Sequence, residues 1–531
     1  MLKEIIRDKK LIIFSLVMGI FMGVFISCGY PLEKYGNVYF EKSFTYILFI
    51  VSSLIGFLFS MICMKICEKC NFITGKEMKR KPVWIYCISA MMLCLFWFPQ
   101  LLGVYPGYFN YDATGQWEMY AADAVTAHHP VLHTMMLGWI VDLVMSITGS
   151  FNKGVFCFLI AQMIVVALCF AYVITWMYRK RLAKWLITLS FIWFIAFPTV
   201  IINLFSVTKD SLFSAFFVVF IVMTIELLED TTICLKKPLF MGGWCLITFL
   251  TTIMRNNAIY VMVIFVPILL WKLRASWKKV LPMMGIVILL YGLYVGVFCP
   301  AFTVQGVSNR EFISVPTQQM MRVYQEKKDE LTEEEIIVYE TLFDEVAIEY
   351  YLPKISDVVK ARFNMDEFNS NKEKYIRFYM EQGIKYPEIY VNSFLHNTYG
   401  FWYPLANLAL DIHGREGYFV CESLPPATNN SMIPPIFEYY KMFENSFLVY
   451  GTSPVIVLFA PATYFWLLCY TLVYNMWQKK KNVVWALLPV ILIWFTFLLG
   501  PVALVRYVSF LFYLVPVELT LLLGGNRENA I

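Results

Sequence analysis

Apolar runs near twenty residues recur along most of this chain, separated by short polar or basic stretches, which is the length a helix needs to cross ~30 Å of hydrocarbon. That pattern predicts spans at 11–28, 44–64, 83–101, 153–178, 185–202, 207–228, 239–254, 258–271, 280–300, 452–475, 483–500 and 503–524. The fold class expected is an all-α polytopic membrane protein of about twelve helices. A basic start followed by the apolar run Leu11 to Cys28 has the outline of a signal peptide, but the run is long for one and Ser27-Cys28-Gly29-Tyr30-Pro31 is a poor cleavage site, so an uncleaved first span is expected.

Lys and Arg in short loops prefer the cytoplasmic side. The basic stretches Lys3–Lys10, Lys65–Lys81, Arg179–Lys184, Lys236–Lys237, Lys272–Lys279 and Lys479–Lys481 all fall on one side of this path. Both termini are thereby expected in the cytoplasm, in a multi-pass protein of the plasma membrane. One apolar segment does not fit. Counting Pro130 to Thr148 as a span would place Arg179, Lys180 and Arg181 outside, so it is expected to lie in the outer interface or to dip in and return. The chain then divides into two additional N-terminal spans with a basic loop (1–82), a transmembrane core with an outer loop at 102–152 (83–300), an extracytoplasmic loop domain, α-rich to irregular (301–450), and C-terminal transmembrane helices (451–531). Within the loop domain, Thr332 and Glu335 have the spacing of a capping box. No internal repeat stands out, which weakens an inverted-repeat transporter reading.

Composition sharpens this reading. Of 531 residues 59% are hydrophobic, 18% aromatic and only 15% charged, whereas soluble domains carry about a quarter charged residues. The net charge of +5 is spread over the short loops, and no nucleic-acid partner is expected. Most of the thirteen cysteines lie inside apolar runs and act as small hydrophobes. Cys67 and Cys70 form one CxxC on a basic loop, but a structural zinc site wants four ligands and no second pair is near.

The chemistry is one-sided. Asp112, the group His128, His129 and His133, the pair Lys209-Asp210, Arg255 with Asn256 and Asn257, and Arg506 with Tyr507 all fall at outer ends of spans or in outer loops. Ionisable groups at bilayer depth cost about 2.5–3.5 kcal/mol at a helix centre. Bland accounts exist for each: Lys209 and Asp210 neutralising each other, Arg255 snorkelling to headgroups, Asp112 as a turn residue. None accounts for their common location. Spans are otherwise apolar through their centres, with Glu226 and Asp142 the nearest exceptions, which counts against a transport path.

One carboxylate with two or three fixed cations suits a lipid-linked phosphate substrate, the cations stabilising charge on the leaving phosphate and the carboxylate taking a proton from an acceptor hydroxyl. The segments Pro106-Gly-Tyr-Phe-Asn-Tyr-Asp-Ala-Thr-Gly-Gln116, His128-His-Pro-Val-Leu-His-Thr134, Thr208-Lys-Asp-Ser-Leu-Phe213, Arg255-Asn-Asn257, Pro316-Thr-Gln-Gln-Met-Met-Arg322 and Gly500-Pro501 with Arg506-Tyr507 resemble an uncharacterised bacterial family grouped with the GT-C superfamily of membrane glycosyltransferases, from about residue 83 onward. The resemblance implies a polyprenyl-phosphate-linked sugar as donor and a cell-envelope glycan, lipid or protein as acceptor, at the extracytoplasmic face of the bilayer. It gives Asp112 the catalytic carboxylate role and makes Lys209, Arg255 and Arg506 candidates for the lipid phosphate, with the histidines, Asp210, Asn256 and Tyr507 in the substrate cleft. The loop motif carries a single Asp, without the adjacent carboxylate of a metal-binding pair, so no cofactor is called for and a divalent ion is not favoured. The competing readings are a polymerase or ligase of lipid-linked oligosaccharides, and a flippase or exporter of lipid-linked glycans.

Overall fold

The computed structural model describes residues 8–70, 72–73, 80–110, 112–304, 309–408, 419–445 and 457–524. Among these the protein is built from helices, with isolated β-bridges and no strand. Eight helices are long and apolar enough to cross a membrane, or nine if one bent pair counts as a single span. The chain opens on a hairpin of α1 (Lys9–Tyr35) and α2 (Ser43–Lys69). Small residues set its closeness: a Cβ on Gly19 would lie 2.6 Å from the Ser53 carbonyl oxygen, so the two backbones touch as small-residue interfaces in membranes allow. Cys67 and Cys70 sit at the end of α2 rather than within a loop. The helix α3 (Pro82–Gly103) follows, then the short α4 (Asp112–Ala121), α5 (Val131–Thr148) and α6 (Phe151–Arg179).

Three parts of the helix pattern bear on the expected spans. The span expected at 185–202 is bent by 52° between α7 (Lys184–Ala196) and α8 (Pro198–Leu204). Pro198 has no N–H to continue the ladder of α7 and instead occupies the first turn of α8. The helices α10 (Pro238–Ile253) and α11 (Ala258–Lys272) match the runs expected at 239–254 and 258–271, and with 16 and 15 residues, about 23–24 Å at 1.5 Å per residue, they are shorter than the hydrocarbon core. The segment expected in the interface forms α5, whose length and composition would also let it cross; Asp142 lies on its exposed face, where hydrocarbon would be costly for it. The first part of the span expected at 452–475, and both chain ends, lie outside the described residues.

At the centre stands α9 (Lys209–Glu229), buried along nearly its whole length. Its Phe213, Phe216, Phe217 and Phe220 point into neighbours on several sides, as expected of a helix hydrophobic all round. Around it pack α6, α10, α19 (Lys481–Phe497) and α20 (Ser509–Leu523), while α12 (Trp277–Leu293) lies against α10. One correction concerns the apolar span centres: Glu518 lies well inside α20, fully buried, with neither carboxylate oxygen partnered among the described residues.

The segment after residue 309 builds a second core, with Met321, Tyr339, Leu342 and Phe343 at most 1% exposed. It is made by α13 (Ser314–Lys327), α14 (Glu333–Leu342), α15 (Lys372–Lys385) and α16 (Pro387–Thr398). The capping box at Thr332 and Glu335 is present. Lys385 binds the same Glu335 at 2.8 Å, and these contacts push its carboxyl down to about 2 against a burial that would raise it. Further on, α17 (Pro434–Asn445) packs on α3, and α18 (Pro461–Trp477) on α20.

Candidate functional site

The site begins with two loops held side by side. Tyr108 and Ser206 form a parallel bridge, Tyr108 N donating to Phe205 O at 2.9 Å and Val207 N to Tyr108 O at 2.9 Å. Gly107 has a φ of +120°, and a Cβ there would fall 1.8 Å from Leu159 Cδ1, so only glycine lets the loop take this path. Gln162 of α6 reinforces the second loop, donating to Leu204 O at 2.7 Å and Ser206 O at 3.0 Å. Asn110 donates to Val420 O at 2.6 Å, and Ser423 Oγ to Gly107 O at 2.7 Å, so residues 420–423 cover the first loop. The bridge brings the start of α4 to the start of α9, and thus Asp112 to Lys209.

From there an ion network grows. Lys209 Nζ donates to Asp112 Oδ2. Arg506, in the turn before α20, reaches the same carboxylate with both terminal nitrogens, at 3.2 and 3.3 Å, the bidentate geometry that suits guanidinium. Arg506 Nη1 also lies 3.2 Å from Asp210 Oδ2, and Arg255 Nη1 donates to Asp210 Oδ1. Asp210, 1% exposed, thus binds two arginines. Three cations face two carboxylates, a surplus of one positive charge. Aromatic rings back the arginines: Arg255 lies 4.3 Å from the Phe497 ring centre and 5.2 Å from that of Tyr507, and Arg506 4.8 Å from Tyr507.

Burial alone would raise the Asp112 carboxyl, but Arg506, then Lys209, outweigh it and hold it well below the ordinary carboxylate range. His129 Nδ1 stands 3.8 Å from Asp112 Oδ2 and 3.4 Å from Lys209 Nζ. Burial first and Lys209 second push its imidazole down to about 3, against the pull of Asp112. His129 is therefore neutral at physiological pH and available as a hydrogen-bonding group beside the carboxylate.

Asp112, His129, Lys209, Asp210, Arg255, Arg506 and Tyr507 come together as one cluster. Two bland accounts fall. Lys209 and Asp210 do not neutralise each other, because each pairs across the cluster. Arg255 does not snorkel, being 7% exposed and paired to Asp210. The remaining candidates have other duties. Asn256 donates to the carbonyls of Ala127 and His128, both at 3.2 Å, and so holds the loop that carries His129. His128 is exposed and meets the cluster through its neighbour. His133 is fully buried and shares a 3.1 Å hydrogen bond with Gln116, tying α5 to α4.

Sequence reasoning missed Gln162 and Phe497. The signal for Gln162 was present, as a lone amide inside an apolar span. Phe497 had none, since nothing local marks which phenylalanine meets an arginine.

A cavity of about 20 Å³ touches Arg506, lined also by Asn203, Thr208 and Phe419, room for little more than one water. The hydroxyl of Thr208 and the amide oxygen of Asn110 are buried nearby without a hydrogen-bond partner among the described residues. Also among the described residues, no group of three or more His, Cys, Asp or Glu side chains is placed to hold a metal ion. Chemically, Lys209 and Arg506 are placed to take another anion in exchange for the Asp112 carboxylate, which then gives up those partners.

No curated protein and no solved structure matches this chain. A known family does match, over residues 121–527, a stretch that takes in His129, Lys209, Asp210, Arg255 and Arg506 and starts just after Asp112. The chain belongs to that family, DUF6020, a family of unknown function.

Proposed function

We propose that this protein is a membrane glycosyltransferase that moves a sugar from a polyprenyl-phosphate-linked donor to an envelope acceptor at the extracytoplasmic face. One observation carries the reading: Lys209, Arg255 and Arg506 converge on Asp112 and Asp210 with one positive charge in surplus. A donor phosphate competes with Asp112 for Arg506 and Lys209. As it takes them over, Asp112 loses the partners that hold its proton affinity down, and it becomes a better base at the moment the donor is bound. The acceptor oxygen then bonds to the anomeric carbon and the bond from that carbon to the phosphate oxygen breaks. The acceptor proton passes to Asp112, and polyprenyl phosphate leaves with its charge held by the two cations. Resemblance to the GT-C superfamily supports the same reading.

The test uses the full chain in lipid nanodiscs with a panel of polyprenyl-phosphate sugars and an envelope extract. Wild type is expected to release polyprenyl phosphate and Asp112→Asn to release none. Near-normal release by Asp112→Asn would remove the base assignment. Absence of release from every donor, with lipid-linked glycan instead crossing a vesicle bilayer, would favour the flippase reading, for which the buried Glu518 carboxylate is the motivating observation.

A further inference from the structure

The far end of α9 holds a second feature. Across its 21 residues, roughly 30 Å at 1.5 Å per residue, the helix reaches the side where the basic loops gather. There α6 ends at Arg179, and the α18–α19 turn carries Lys479, Lys480 and Lys481. A cavity of about 930 Å³ lies among α6, α9 and α10, its wall mostly carbon from Val165, Leu168, Phe216, Val219, Leu246 and Ile247. Leu168 and Leu246 at its edge are 42% and 52% exposed. In a bilayer these positions face acyl chains, so the cavity is a lateral groove open to lipid.

The polar end of the groove is built. Arg179 Nη2 lies 2.8 Å from Glu226 Oε1, and Tyr172 donates to Glu226 Oε2 at 2.6 Å. A second cavity of about 450 Å³ adjoins the first and shares Trp176, Lys180 and Asp230 with it. Lys479, Lys480 and Lys481 line this second space. Around the two cavities stand six cations, the others being Arg179, Lys180 and Lys237, against the three carboxylates Glu226, Glu229 and Asp230, a surplus of three positive charges. Carbon walls ending in a cationic chamber match an amphiphile with an anionic head.

We propose that this paired cavity is a binding site for an anionic glycerophospholipid of the cytoplasmic leaflet, its acyl chains in the groove and its headgroup phosphate on the lysine turn. Charge complementarity selects the anionic head over a zwitterionic one. Polyprenyl phosphate offers the same headgroup chemistry, but the lateral opening at Leu168 and Leu246 admits bulk bilayer lipid directly, and the proposal commits to a phosphatidylglycerol-type occupant. The site is separate from the Asp112 cluster and does not depend on the activity proposed for it.

Native mass spectrometry of the full chain, titrated with phosphatidylglycerol and phosphatidylcholine of identical chains, tests this. Wild type is expected to retain phosphatidylglycerol about tenfold more tightly, a difference of ~1.4 kcal/mol, because the lysine turn attracts the anionic phosphate. The triple change Lys479→Ala, Lys480→Ala and Lys481→Ala is expected to remove that preference. Gly243→Phe, which projects into the groove, is expected to weaken both lipids while leaving melting temperature in detergent near wild type. Equal retention of the two lipids by wild type, or an unchanged preference in the triple variant, would overturn the proposal. Displacement of phosphatidylglycerol by equimolar polyprenyl phosphate would overturn the choice of occupant.

Discussion

Each charged side chain of the Asp112 cluster is answered by at least one opposite charge, and this decides how substitutions behave. Asp210 is 1% exposed between two arginines, and removing one member of a buried pair costs about 3–5 kcal/mol because the survivor stays buried. Asp210→Asn is therefore expected to lower the melting temperature in detergent strongly. Arg255→Met combined with it is expected to cost less than the sum of the two single changes, measured as a double-mutant cycle; strict additivity would mean that the pair is not coupled.

His129 gives a pH test with a definite sign. Its folded pKa of about 3 lies below the ordinary 6.5, so between these values the unfolded chain takes a proton that the folded chain refuses. Stability is complete above about pH 6.5 and falls as pH is lowered. His396, buried at the end of the 309–408 segment and also pushed down to about 3, acts in the same direction. His129→Asn is expected to flatten part of the acid-side loss between pH 7.5 and 5, read by thermal melts; an unchanged slope would refute the assignment. The sequence revealed these charges because each is costly at bilayer depth, but not their partners. Neighbours on a helix point ~100° apart, so Lys209 and Asp210 face different sides, and who waits there is a long-range fact.

Among the elements, the loop from 104 to 110 matters most, since its bridge to the 205–207 loop sets Asp112 against Lys209. Gly107→Ala is expected to keep the helices intact by circular dichroism while reducing turnover to near background, because the added carbon meets Leu159 and displaces the loop. Gln162→Leu removes two hydrogen bonds to residues 204 and 206, and a milder loss of activity with a destabilisation of about 1–3 kcal/mol is expected. Helix existence was legible because composition and run length dictate it. The bend at Pro198, and whether α5 crosses or lies in the interface, were not, since the same apolar residues serve both arrangements.

At the scale of the molecule, the N-terminal hairpin is tied to the 309–408 segment by polar contacts. Arg322 donates to Gly36 O at 2.8 Å and Asn37 Oδ1 at 2.7 Å, Asn392 accepts from Val38 N at 2.7 Å, and Glu33 accepts from Tyr399 at 2.9 Å. Arg322 belongs to a motif read from the sequence as part of the functional family pattern, and its contacts assign it to joining these parts. Arg322→Ala is expected to speed proteolysis of the 314–398 segment without changing donor binding; a matching loss of donor affinity would place it at the site instead. These contacts link residues nearly three hundred positions apart or more, a separation that no local pattern records.

The closeness of the Asp112 pairs has one more consequence. A free sugar, or water, would have to prise Lys209 and Arg506 from Asp112 and give nothing back, whereas an anion replaces what it removes. On the proposed function the cluster is a lock whose first tumbler is charge: phosphate opens it, and only then is the sugar inspected. On that proposal the same latch suppresses idle hydrolysis, and an inhibitor would need a fixed negative charge before it needed any likeness to a carbohydrate.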